Sequence, residues 1–131
     1  MTGHRPDARR KVLLVDDSAL VLRIASAYLC ESYEVITGSS GEEALSKAVA
    51  ERPDVILMDY HMSGQSGAEA ADSLLRDQRT HHIPVIIMTT ATEIALLPAH
   101  IERLTKPFDK QAVLAKIQTC LGAPLSRPMS E

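Results

Sequence analysis

The sequence predicts an α/β domain: five parallel strands alternating with helices, which cover both faces of an open sheet. Two observations carry this. Short apolar runs, KVLLV, DVILM and PVIIM, are continuous instead of alternating, as in strands buried on both faces. Between them lie segments with apolar residues at helical spacing, and crossovers of that length join parallel neighbours through right-handed connections. A weaker run, HIERL, completes the series near the C-terminus.

The elements follow in order. Residues 12–16 make the first strand. Val21, Ile24, Ala25 and Tyr28 recur at helical spacing and predict a helix over about 18–31. Tyr33 to Thr37 reads as strand two, ended by Gly38. Ser40 and Glu43 are spaced as a capping box, with Ala44, Leu45, Ala48 and Val49 as the buried stripe of helix two. Pro53 opens strand three, 54–58. Ser66 and Glu69 repeat the capping-box spacing, and helix three runs to about Gln78 over Ala71, Leu74 and Leu75. Pro84 opens strand four, 85–88. Residues 92–97 allow only a short helical piece before Pro98, which lacks an amide donor. Strand five is about 101–105. Asp109 caps a last helix with the stripe Val113, Leu114, Ile117, Cys120 and Leu121, and Phe108 and Val113 stand at staple spacing around that cap. The count is five strands and about five helices.

Composition narrows the class. A chain of 131 residues, 45 % hydrophobic and 24 % charged, is one domain with a sizeable core. Its net charge of −3 gives no basic field for nucleic acid, and its one basic cluster, Arg5, Arg9, Arg10 and Lys11, lies in a polar leader, 1–10. No apolar stretch has the ~20 residues that span a bilayer, and no signal-peptide core follows Met1. Cys30 and Cys120 stand alone, without metal spacing, and fit a reducing cytoplasm as small apolar residues. Residues 11–121 read as the domain and 122–131, with two prolines and no periodicity, as a flexible tail or linker.

The polar residues at the strand ends point to chemistry. Asp16 and Asp17 follow the first run, Asp59 the third, Thr89 the fourth, and Lys106–Pro107 the fifth. Parallel strands end at one edge, where α/β ligand sites form, so these residues converge. Taken singly, Asp-Asp-Ser after a strand is a helix cap, and Asp59 is a turn residue. Jointly, three carboxylates, a hydroxyl and an ammonium on one edge define a pocket for a divalent cation and a phosphoryl group. Close carboxylate pairs repel by roughly 4 kcal/mol at an effective dielectric near 20; Mg²⁺ offsets this, takes oxygen ligands and bridges carboxylate to phosphate. Lys106 supplies a point charge for phosphoryl oxygens, and phosphoryl transfer asks for little beyond position and charge. Lys106–Pro107 is a candidate cis peptide. His81 and His82 have no carboxylate or cysteine companion and read as an exposed loop; His61 reads as solvent-facing at the pocket rim.

VLLVDDS, VILMDYHMSGQSG, PVIIMTT and LTKPF, in this order and at these intervals, resemble the receiver domain of two-component response regulators over about residues 11–121. The resemblance implies a flavodoxin-like sheet of order 2-1-3-4-5. It implies Asp59 as phosphoacceptor, served by a histidine kinase or a histidine phosphotransfer protein. Asp16, Asp17, Asp59 and the backbone carbonyl of His61 would hold Mg²⁺, and Thr89 and Lys106 would contact the phosphoryl oxygens. The chain is then a cytoplasmic signalling module in place of a metabolic enzyme, with no direct role in nucleic-acid or membrane binding and an unnamed downstream protein target. Two other readings stand beside it: an interaction module that works without phosphorylation, and a small aspartyl-nucleophile phosphatase, whose Asp-x-Asp arrangement the adjacent aspartates do not match. Two positions and one stretch depart from the family pattern. Ser63 replaces a proline, which predicts a less rigid loop after Asp59. Arg103 stands where an aromatic usually does. The stretch from Thr89 to Lys106 is short, without the usual alanine-glycine-alanine segment, which predicts a shortened or irregular fourth helix.

Overall fold

A computed structural model of the chain describes residues 9–90, 92–93, 97–98 and 101–121. The strands are β1 (Lys11–Val15), β2 (Glu34–Gly38), β3 (Val55–Asp59), β4 (Val85–Thr89) and β5 (Glu102–Thr105). The helices among the described residues are α1 (Ala19–Leu29), α2 (Gly41–Glu51), α3 (Gly67–Arg76) and α4 (Lys110–Leu121). The helical piece expected over 92–97, and with it the shortened fourth helix, falls largely on residues outside this description, as do most of the leader and the tail.

All strand pairs are parallel, and the sheet order is β2-β1-β3-β4-β5. Period-two alternation divides each central strand between two cores. Leu13, Val15, Ile56, Met58 and Ile87 face α2 and α3, where Ala44, Ala48, Ala70, Ala71 and Leu74 meet them. Val12, Leu14, Val55, Leu57, Ile86 and Met88 face α1 and α4, against Ala25, Leu29, Val113 and Ile117. Every residue of β3 is buried, including its last, Asp59. The small alanines of α2 and α3 let those helices approach closely, and Gly67 carries this to the limit. A Cβ there would lie 2.3 Å from the Asp59 carbonyl oxygen, so only glycine lets α3 begin directly above the end of β3.

The helix ends refine the sequence reading. Ser66 and Glu69 form the full capping box. Ser40 accepts from the Glu43 amide, but the Glu43 carboxylate reaches past the cap to the Ser39 amide at 2.7 Å and the Ser39 hydroxyl at 3.1 Å, so the second box is only half formed. Helix three stops at Arg76, short of Gln78, because Asp77 leaves helical geometry and its carboxylate accepts the Arg79 amide at 2.9 Å while pairing with the Arg79 guanidinium. Asp109 caps α4 as expected, accepting the Ala112 amide at 2.8 Å, and Phe108 packs on the core that holds Val113. Two of the expected stripes are only partly buried. Ile24 and Leu75 are 46 % and 40 % exposed, and Leu29 takes the deep position in α1. Cys30 is exposed at the α1 C-cap, whereas Cys120 packs on the core, where burial raises its thiol pKa. No helix among the described residues is long and apolar enough to cross a membrane.

Candidate functional site

The C-terminal edge of the sheet brings Asp16, Asp17, Asp59, Thr89 and Lys106 together. Asp16 follows β1, and its amide donates to the Gly38 carbonyl at 3.1 Å, which extends the β1–β2 ladder to the acidic pair. Its Oδ1 accepts the Ser18 amide at 2.9 Å, while Ser18 itself caps α1 by accepting the Val21 amide. The cap is thus the serine, leaving both aspartates for the pocket. Asp59 ends β3 in register with Met88, and the Tyr60 amide donates to the Met88 carbonyl. Thr89 ends β4, and its carbonyl accepts the Lys106 amide at 2.7 Å, which fixes the lysine beside the strand that carries the threonine.

One carboxylate oxygen from each of Asp16, Asp17 and Asp59 lies within 4.8 Å of the others. Asp16 and Asp59 are 2 % and 5 % exposed. The Lys106 ammonium pairs with Asp59 Oδ1, and the Lys106–Pro107 peptide is cis. Asp16 Oδ2 is buried without a hydrogen-bond partner. Such an orphan is costly, and a divalent cation among these three carboxylates would satisfy it. Burial raises the Asp16 pKa; the Asp59 and Asp17 charges add to this, against the Ser18 amide and Lys106.

A raised folded pKa means that the folded state holds its proton more tightly than the unfolded chain. Metal-free stability therefore falls as pH climbs from the ordinary carboxyl range through the raised value. Asp16→Asn should raise the melting temperature of the metal-free domain at neutral pH and flatten that dependence. It should also weaken Mg²⁺ binding. Thermal scans between pH 4 and 8, with and without Mg²⁺, measure both effects, and an unchanged metal-free melting temperature refutes them.

Two features of the pocket and one of β5 go beyond the sequence reading. Ser63 was expected to loosen its loop, yet its amide and hydroxyl donate to Asp17 Oδ2 at 3.1 and 3.2 Å. A proline has neither donor, so the serine holds Asp17 in place. Arg103 stands in the strand position where the family pattern has an aromatic. Its guanidinium donates to the backbone carbonyls of Pro98 at 2.6 Å and Ile101 at 2.8 Å. The third is Glu93. Its Oε1 accepts the Thr89 hydroxyl and the Thr90 amide, each at 3.2 Å, and its Oε2 pairs with His61 Nε2. Burial opposes ionisation there, but the Thr90 amide, the Thr89 hydroxyl and His61 outweigh it and hold the Glu93 pKa below its usual value. Thr90–Glu93 has the Thr-x-x-Glu spacing of a capping box, and both reciprocal bonds are present. That spacing was the available signal. His61 is exposed as expected, and its ring also stands edge-on to Tyr60. His81 and His82 are exposed near the start of β4, away from the acidic cluster.

The comparisons agree with this geometry. The sequence matches the family "Response regulator receiver domain" over residues 12–118. The chain belongs to that family. It is 33 % identical to Protein PilH of Pseudomonas aeruginosa over 86 % of this chain and 98 % of PilH. It is also 33 % identical to the alkaline phosphatase synthesis transcriptional regulatory protein PhoP of Bacillus subtilis, over 93 % of this chain. The chain spans 53 % of PhoP and 25 % of the response regulator PleD of Caulobacter vibrioides. Among solved structures, the chemotaxis response regulator CheY4 of Vibrio cholerae matches with a TM-score of 0.76 at 32 % identity, covering 86 % of this chain and 99 % of that one. The predicted family, fold and strand order all hold.

Proposed function

We propose that this receiver domain takes a phosphoryl group onto Asp59 from a histidine kinase or a histidine phosphotransfer protein, and that the modified state changes its binding to a downstream protein. The observation that carries this reading is Asp59 itself. It is a buried carboxylate at the end of the central strand, paired with Lys106 and flanked by two further carboxylates. An Asp59 oxygen forms a bond to phosphorus as the phosphorus–nitrogen bond to the donor imidazole breaks, and the electron pair returns to that nitrogen, which takes up a proton. Asp16, Asp17, Asp59 and the His61 carbonyl would hold Mg²⁺, which supplies the positive charge that lets one anion approach another. Lys106 and Thr89 face the transferred oxygens as ammonium and hydroxyl donors. Residues 11–121 form the receiver unit, acting in the cytoplasm as a signalling module.

The donor protein also has a surface to rest on. Between α1 and the start of α4, Val21, Ile24, Ala25, Tyr28, Pro107 and Phe108 line an apolar groove of about 480 Å³ whose rim includes Lys106 and Thr90. The outward-facing Ile24 belongs to it, which is why the α1 stripe is wider than the buried core requires.

Incubation with Mg²⁺ and an acyl phosphate tests the reading. Intact mass and peptide mapping should show one adduct, on Asp59. It should disappear with a chelator and in Asp59→Ala. Label retained in that variant refutes Asp59 as the acceptor; no label on wild type under any donor favours the phosphorylation-free interaction module.

A further inference from the structure

We propose that Glu93 is a positioning residue that holds the resting state by occupying the Thr89 hydroxyl, so that a phosphoryl group on Asp59 must displace it. This rests on the phosphoacceptor reading above and deepens it. A threonine hydroxyl has one proton to donate. In this structure its acceptors are Glu93 Oε1 at 3.2 Å and the Thr90 carbonyl at 3.3 Å, both on the segment that follows β4. Thr89 is 1 % exposed, so water does not substitute freely for either partner. If the hydroxyl turns to a phosphoryl oxygen, Glu93 loses a donor.

The same carboxylate has two further commitments. Its Oε1 accepts the Thr90 amide, and its Oε2 pairs with His61, two residues beyond Asp59 on the loop that leaves β3. One side chain therefore ties the end of β4 to the loop after β3. Withdrawing the Thr89 hydroxyl leaves an anion near the incoming phosphoryl charge, which drives Glu93 away and weakens its hold on His61. The chemistry at Asp59 is thereby converted into movement of the Thr90–Glu93 turn, without an aromatic at position 103. Glu93 neither ligates the cation nor touches the reacting atoms; it acts through Thr89 and His61.

The experiment uses beryllofluoride as the phosphoryl mimic with Mg²⁺ present, its affinity read by NMR titration of the full chain. Glu93→Ala should bind beryllofluoride about tenfold more tightly than wild type, the lower end of what a charge-assisted hydrogen bond contributes. Glu93→Gln keeps an acceptor but not the charge and should fall between them. In a Thr89→Ala background the gain from Glu93→Ala should shrink severalfold, because the hydroxyl being competed for is gone. A purely structural role for Glu93 predicts weaker binding in Glu93→Ala, and equal gains in both backgrounds reduce its effect to bulk charge; either result overturns the proposal. Failure of the phosphoacceptor reading looks different: no variant, wild type included, then binds beryllofluoride.

Discussion

Asp17→Ala is expected to lose most Mg²⁺ affinity, on the order of ten- to a hundredfold. Of the three clustered carboxylates, Asp17 is the exposed one, and Asp16 and Asp59 are buried beneath it. Removing one unit charge at about 4 Å from a cation costs roughly 4 kcal/mol at an effective dielectric near 20, and solvent at the pocket mouth reduces this. Ser63 strengthens the expectation, since its two hydrogen bonds hold the Asp17 carboxylate in one place before any ion arrives. Ser63→Pro removes both donors while leaving every carboxylate, so its loss should be smaller than that of Asp17→Ala. Isothermal titration with Mg²⁺ on the three proteins gives the order directly. Equal affinity in wild type and Asp17→Ala refutes the assignment of Asp17 as a ligand.

Lys106→Ala is expected to do the opposite to the metal and far more to the response. The ammonium pairs with Asp59, which is 5 % exposed. Without it the metal-free pocket holds three carboxylates and no counter-charge. Breaking a buried pair by removing one partner costs about 3–5 kcal/mol, and the half-exposed lysine places this case at or below the low end. The metal-free variant should therefore melt well below wild type, and Mg²⁺ should restore much of the difference. Its Mg²⁺ affinity should be kept or improved, because the cation no longer competes with an ammonium. Beryllofluoride should nevertheless produce little of the wild-type chemical-shift change, since the ammonium donor to the phosphoryl mimic is gone. A wild-type response in Lys106→Ala sinks this role.

The sequence is most legible where local rules and tertiary demands coincide. The apolar runs of β1, β3 and β4 could be nothing but buried strands, and the residues after them had to share an edge. Ser66–Glu69 and Asp109 behave as their spacing says. Strand order was not legible from periodicity and came through the resemblance. The misreadings share a cause: one-dimensional spacing does not say which of two nearby donors a side chain will choose. Glu43 preferred Ser39 to its own cap, and Asp77 ended α3 early by taking the Arg79 amide. Ser63 looked like the loss of a stiff residue because its gain, two donors aimed at Asp17, depends on a residue 46 positions away. The Thr90-x-x-Glu93 spacing marks a cap in the sequence, but the reach of Glu93 to Thr89 and His61 depends on the fold.

The register of β3 has a consequence for how this molecule tolerates change. Met58 points to one core and Leu57 to the other, and Asp59 follows on the side of Leu57, opposite Met88. Neighbouring positions differ by a half-turn, so the place of the Asp59 carboxylate is set by counting residues instead of by continuous adjustment. Substitutions along the strand can drift among Val, Ile, Leu and Met while leaving Asp59 where it is. An insertion or deletion of a single codon within 55–59 cannot. It would carry the carboxylate to the opposite face, deliver an aliphatic side chain to the acidic cluster, and expose both cores to the wrong partners at once. The strand works as a frame that reads in steps of one residue, and the pocket can be edited by spelling but not by length.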